Sequence, residues 1–156
     1  MRFSLPKSAA TAAALAALLI PPLSAHADTP GRHPGFLHAL TDLRSARWLI
    51  SHRTGDAVVS GHEEVAIQKI VAAISDIQRD AVSDGKALAD HPAADAPASK
   101  ADRLNRALAL LDAAHKDVNA EEDNPKAIEL KKVALNNIDE ATQQLKAALW
   151  DLSHAK

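Results

Sequence analysis

The chain has 156 residues, a net charge of −2 and no cysteine. Its length suits one domain, and its mildly acidic balance gives no electrostatic footprint for nucleic acid or anionic lipid. The lack of cysteine excludes disulfides, thiol catalysis, iron–sulfur clusters and c-type haem attachment.

The N-terminal stretch has the pattern of a secretory signal peptide. A basic start precedes an apolar run over residues 9–20, which is short for a membrane span, and Ala-His-Ala at 25–27 supplies a small-x-small cleavage pattern. We expect residues 1–27 to be removed, leaving a mature chain of residues 28–156. The predicted location is the periplasm or the outside of the cell, without membrane insertion after cleavage. The alternative is an uncleaved anchor.

The next two segments have the apolar spacing of amphipathic helices, over about residues 34–53 and 60–90. Pro34 suits the first position of a helix. A backbone N–H at that position has no hydrogen-bond acceptor within the helix, so the lack of this group in proline costs nothing. Ser60 and Glu63 have the spacing of a capping box, which predicts the start of the second helix. The apolar positions that then follow a 3-4 rhythm are Ile67, Ile70, Ile74 and Ile77.

Two more helices are predicted over about residues 99–122 and 125–153. A proline- and alanine-rich linker precedes the first of them, Ser99 suits its N-cap, and Asn124 suits the N-cap of the second. Short connections between long helices favour antiparallel neighbours. The sequence therefore predicts an all-α, up-down-up-down four-helix bundle, in which residues 28–156 form one domain.

Three stretches of the chain resemble a group of small exported bacterial proteins with a signal peptide and a helical-bundle body. They are HPGFLHALTDLRSARWL from His33, DGKALADHP over residues 84–92, and EEDNP over residues 121–125. The resemblance implies export and a bundle fold, and it carries no chemistry with it. A second similarity, to small periplasmic metal-binding proteins built from histidine-bearing helices, implies binding of a divalent metal.

The sequence lacks the motifs of several cofactor and catalytic sites. Its one methionine is Met1, which removes the methionine–histidine pair of a haem-binding bundle. The di-iron motif Glu-x-x-His is absent, and its mimics ending at His115 and His154 fall at opposite ends of an antiparallel helix pair. No G-x-S-x-G, H-E-x-x-H or glycine-rich phosphate loop occurs. We therefore predict that the protein is not an enzyme.

The predicted topology gathers histidines at the pole where the first helix begins. The predicted metal site there consists of His33, His38, Asp42, His91 and His154. Imidazole and carboxylate ligands suit zinc, copper or nickel. The alternative is a protein with no cofactor, in which His91 and His154 interact with helix C-termini and His38 pairs with Asp42 on the helix surface.

The first predicted helix is shorter than the second and fourth, so part of the bundle is left uncovered. That strip suits a small apolar ligand or a protein partner, unless residues 53–60 or a second copy in a homodimer close it. The sequence therefore predicts an exported, non-enzymatic binding or interaction bundle whose ligand or partner is unknown. The alternative is a periplasmic divalent-metal-binding protein that uses histidines at the bundle poles.

Overall fold

The computed structural model describes residues 34–52, 59–81, 90–92, 99–121 and 127–155. Four helices account for most of them: α1 (Pro34–Ser51), α2 (Gly61–Ala81), α3 (Lys100–Ala120) and α4 (Ala127–His154). These ranges contain no strand. The predicted all-α four-helix bundle is confirmed, while the predicted signal peptide and His33 lie outside the described residues.

Two of the predicted helix starts form as expected. At α2, the Ser60 N–H donates to Oε2 of Glu63 at 2.6 Å, and the Glu63 N–H donates to Oγ of Ser60 at 3.3 Å. At α3, Oγ of Ser99 accepts from the Asp102 N–H at 3.0 Å. These reciprocal bonds satisfy N–H groups that have no partner within the helix.

The order of the helices around the bundle differs from the prediction. α1 packs against α2 and α3, and α4 packs against the same two helices. No Cα atom of α1 approaches α4 within 8 Å, so α1 and α4 lie on one diagonal and α2 and α3 on the other. The predicted order, in which the first and fourth helices are neighbours, is therefore wrong.

Contacts at the helix ends also reverse two of the predicted directions. Glu121, after the end of α3, accepts hydrogen bonds from the backbone N–H groups of Gly35 and Phe36 at the start of α1. Oε2 of Glu63 lies 2.8 Å from Nζ of Lys100, which joins the start of α2 to the start of α3. The helices therefore run up-down-down-up, with α1 antiparallel to α3 and α2 parallel to α3.

The connection between α2 and α3 accounts for the reversed directions of α3 and α4. α2 is described to Ala81, and Asp90, predicted to be its last residue, is not helical. Residues 82–99 separate the described end of α2 from the start of α3. A 21-residue helix is about 31 Å long, and eighteen residues reach up to about 60 Å when extended. The chain can return to the pole where α2 begins before α3 starts.

Residues 90–92 lie against α1, where His91 contacts the ring of Trp48. Half of the 18 residues of α1 are buried, including Arg44 and Ser45. Phe36, Leu40, Leu43 and Ile50 share one helical face by their spacing in the sequence, and all four are buried.

Alanine lines the contacts between helices and lets them approach closely. The completely buried alanines are Ala39, Ala46, Ala66, Ala73, Ala107, Ala114, Ala134 and Ala141.

Within the described ranges, no helix combines the length and the apolar character needed to cross a membrane.

Candidate functional site beside α1

The structure does not gather the described members of the predicted metal site. His38 and Asp42 lie one turn apart on α1, near the end of α3. His154 is in the last turn of α4, at the opposite pole, with its ring centroid 4.2 Å from that of Trp150. α3 and α4 run opposite to the predicted directions. The helix ends that were expected to bring these histidines to one pole therefore lie at different poles. No group of three or more His, Cys, Asp or Glu residues in the described part of the chain is placed to hold a metal ion.

Two of the predicted site residues, Asp42 and His91, do come together. They line a cavity of about 190 Å³ between α1, α3 and residues 90–92. A neighbouring cavity of about 440 Å³ shares His91 and Pro92 as walls. The first also contains Ser45, Trp48, Leu49, Arg106 and Leu110, and the second Thr41, Arg44 and Asp90. We refer to the two cavities together as the α1 cleft.

Trp48 is the aromatic centre of the α1 cleft. Its ring centroid lies 4.5 Å from that of His52 and 4.6 Å from that of His91, with interplanar angles of 30° and 34°. Such stacking adds to the burial of aromatic area and holds residues 90–92 against α1. Nδ1 of His91 lies 2.9 Å from the carbonyl oxygen of Pro92, which can only accept a hydrogen bond. Nδ1 therefore carries a proton, and in the neutral ring Nε2 is the acceptor.

Arg44 places a buried positive charge on the wall of the larger cavity. The residue is 2 % exposed, and its guanidinium stays protonated because arginine does not lose its proton in proteins. A buried charge is costly unless it is paired or hydrogen-bonded, and Arg44 interacts with another group of the protein. Asp90, on the same cavity wall, is exposed and therefore better screened by water.

The hydroxyl groups of the α1 cleft are engaged with the helix backbone. Oγ1 of Thr41 donates to the Leu37 carbonyl at 3.1 Å, and Oγ of Ser45 donates to the Thr41 carbonyl at 2.9 Å. Neither hydroxyl is hydrogen-bonded to His91, which bonds to Pro92 instead. Both hydroxyl groups make the usual bond of a helical serine or threonine to the carbonyl four residues earlier, and these bonds hold the two side chains against α1.

Burial raises the pKa of Asp42, the nearby Asp117 raises it further, and His38 opposes the shift. A carboxyl group whose pKa is higher in the folded protein makes the fold less stable as the pH rises from the unfolded value through the folded one. We therefore expect Asp42→Asn to be more stable than the wild type above this window. Chemical unfolding over a series of pH values should show the advantage shrinking to zero as the pH falls below the ordinary value of 3.8.

Asp112→Asn is the matched control, because the pKa of Asp112 is shifted in the opposite direction to that of Asp42. A hydrogen bond from Lys116 and its charge lower the pKa of the exposed Asp112. That carboxylate stabilises the fold above its ordinary pKa, and the contribution is lost as the pH falls through the lowered value. Replacing it with asparagine should therefore reduce stability at neutral pH. An Asp42→Asn variant that behaves like Asp112→Asn would show that Asp42 is stabilised, not strained, by its surroundings.

The chain matches no protein-family model, no curated protein and no solved structure. The resemblance to exported bundle proteins thus remains a prediction.

Sequence reasoning did not find Thr41, Arg44, Trp48, Asp90 or Arg106 as residues of a site. One sequence signal was available. Each tryptophan, Trp48 and Trp150, is followed four residues later by a histidine, and this spacing places the two rings on one helix face.

Proposed function

We propose that this protein is an exported, non-enzymatic binding protein, and that the α1 cleft is its ligand site. The observation that carries the proposal is Arg44, which is 2 % exposed and yet lines a cavity of about 440 Å³. A protein interior is normally packed tightly around a buried group. A guanidinium that lines an open cavity places charged N–H donors beside a space of ligand size, and this placement, not a missing partner, supports a site for a polar ligand.

The cleft residues favour a small, flat molecule with a carboxylate. The buried Arg44 offers a fork of N–H donors that matches a carboxylate, and Trp48 offers an aromatic surface nearby. The opposing Asp90 is exposed, so its repulsion of an anion is screened. Because the cleft carries charged groups, a ligand with a polar head suits it better than the purely apolar ligand expected from the sequence.

Export is part of the proposal because of the signal-peptide pattern in residues 1–27. The non-enzymatic role is also part of the proposal, because the sequence has neither of the hydrolytic motifs G-x-S-x-G and H-E-x-x-H.

Tryptophan fluorescence tests the site directly. In a Trp150→Phe background, Trp48 is the one remaining tryptophan, so its emission reports on the α1 cleft alone. Titration with benzoate should change this emission with a dissociation constant of about 1 mM, as expected for a fragment-sized ligand. Benzyl alcohol, which has the ring without the charge, should bind at least about tenfold more weakly.

Variants locate the binding. Arg44→Met should abolish the benzoate response, while Lys146→Met, at an exposed position on α4, should leave it unchanged. Thr41→Val alters the cavity wall without removing the buried charge, so it serves if Arg44→Met does not fold. Equal responses to benzoate and benzyl alcohol, or an unchanged response in both cleft variants, would contradict the proposal.

A further inference from the structure

A cavity of about 410 Å³ lies in a different groove, between α3 and α4. His115 and Asn119 contribute from α3, and the α4 residues of its wall follow helical spacing along one face. They include Ile128, Lys131, Lys132 and Leu135. We refer to this site as the α3–α4 groove.

Positive charge is concentrated in the α3–α4 groove although the whole chain is acidic, with a net charge of −2. Lys131 and Lys132 are adjacent, and Nζ of Lys131 donates to the backbone carbonyl of Glu121 at 2.9 Å, which fixes its position. Among the described residues that line this cavity, Asp139 is the one carboxylate, and its Oδ1 lies 3.5 Å from Nε2 of His115. The amide groups of Asn119 and Asn136 add neutral donors.

The floor of the same groove is apolar. Ile128 is 43 % exposed, and Leu135 is partly buried against the core. A single exposed apolar side chain is ordinary on a protein surface. Here, however, Ile128 lies about one turn before the two lysines and Leu135 about one turn after them, on the same face of α4.

We infer that the α3–α4 groove binds a small organic acid with a short apolar chain. The carboxylate would pair with Lys131 and Lys132, and the chain would cover Ile128 and Leu135. The volume is at the lower end of the range for small-molecule sites, about 300–1,000 Å³. A membrane headgroup layer fits less well, because stable attraction to anionic lipid needs a cluster of about 4–8 basic residues and the groove supplies two lysines.

Octanoate, below the concentration at which it aggregates, is the probe that tests this inference. Two-dimensional NMR should show shifts of the His115, Asn119 and Ile128 amide signals, while the Trp48 indole signal, which reports on the α1 cleft, stays in place. Acetate has the charge without the chain and octanol the chain without the charge. Each should bind at least about tenfold more weakly than octanoate, since either loses one of the two interactions.

Variants at exposed positions keep the test independent of folding. Lys132→Gln and Ile128→Asn should each weaken octanoate binding about fivefold or more. Lys146→Gln, on the same helix but outside the groove, should leave the dissociation constant within about twofold. Equal binding of octanol and octanoate, an equal loss with Lys146→Gln, or binding only to anionic phosphatidylglycerol vesicles would overturn the inference. Failure of octanoate to bind leaves the α1 cleft unaffected, because benzoate titration reports on that site separately.

Discussion

Glu63→Ala should lower the free energy of unfolding by about 3 kcal/mol, the lower end of the range for breaking a buried ion pair. The side chain of Glu63 is 3 % exposed, and its Oε2 lies 2.8 Å from Nζ of Lys100. The same carboxylate accepts the Ser60 N–H at 2.6 Å. Its removal leaves a partly buried ammonium without its partner and a helix N-terminus without half of its capping box. Chemical unfolding at neutral pH measures the loss.

Glu64→Ala is the matched control, because Glu64 is the next residue of the same helix turn and is exposed. Its loss should cost about 0.5 kcal/mol, the usual value of an acidic residue near a helix N-terminus. A double-mutant cycle with Lys100→Met then isolates the contact between the starts of α2 and α3. Equal costs at positions 63 and 64, or no coupling to Lys100, would contradict the parallel arrangement of α2 and α3.

Gly35→Ala should destabilise the protein by about 1–3 kcal/mol, as is typical for overpacking. A Cβ atom at position 35 would lie 2.6 Å from the backbone oxygen of Asp117 and 2.8 Å from Oε1 of Glu121. The backbone oxygen cannot rotate away, so α1 and α3 would have to move apart. The same shift would weaken the hydrogen bonds from the Gly35 and Phe36 N–H groups to Glu121. Thermal and chemical unfolding of the variant report the cost.

Gly61→Ala provides the comparison at the start of α2, where an added Cβ meets nothing within 4 Å. Alanine favours helix more than glycine does, so this variant should be as stable as the wild type or up to about 1 kcal/mol more stable. If both glycine variants gained stability, the close approach of α1 to α3 would be contradicted.

Much of the fold was predictable because the signals for it are local. The capping pair Ser60 and Glu63 marks the start of α2, and the spacing of Phe36, Leu40 and Leu43 marks the buried face of α1. Each of these patterns depends on residues within two turns of one another. Helix type and core positions therefore followed from the sequence.

The prediction of the directions of α3 and α4 depended on a weaker signal, which is where the second helix ends. The isoleucine rhythm stops at Ile77, yet no proline occurs until Pro92, so the sequence predicts a helix that continues to Asp90. That extension left a short linker and implied an antiparallel neighbour. Eighteen residues separate the described end of α2 at Ala81 from the start of α3 at Lys100, and this length is enough for a return to the opposite pole.

The α1 cleft could not be predicted because its contacts join residues far apart in the chain. Trp48 meets His91 because residues 90–92 lie against α1. Arg44 is buried and lines a cavity with the same three residues. Of the predicted site, Asp42 and His91 share a cavity, whereas His38 and His154 lie near opposite poles.

Mass spectrometry under non-denaturing conditions, on protein purified from the cells that make it, tests the proposed function most directly. The wild type and the Lys146→Met variant should each retain a small organic acid that Arg44→Met and Thr41→Val lose, whether or not a second acid occupies the α3–α4 groove. The same spectra report bound metal and the number of subunits. Identical bound species in all four proteins, or a metal ion whose retention depends on His38 or His154 and not on Arg44, would contradict a ligand site in the α1 cleft.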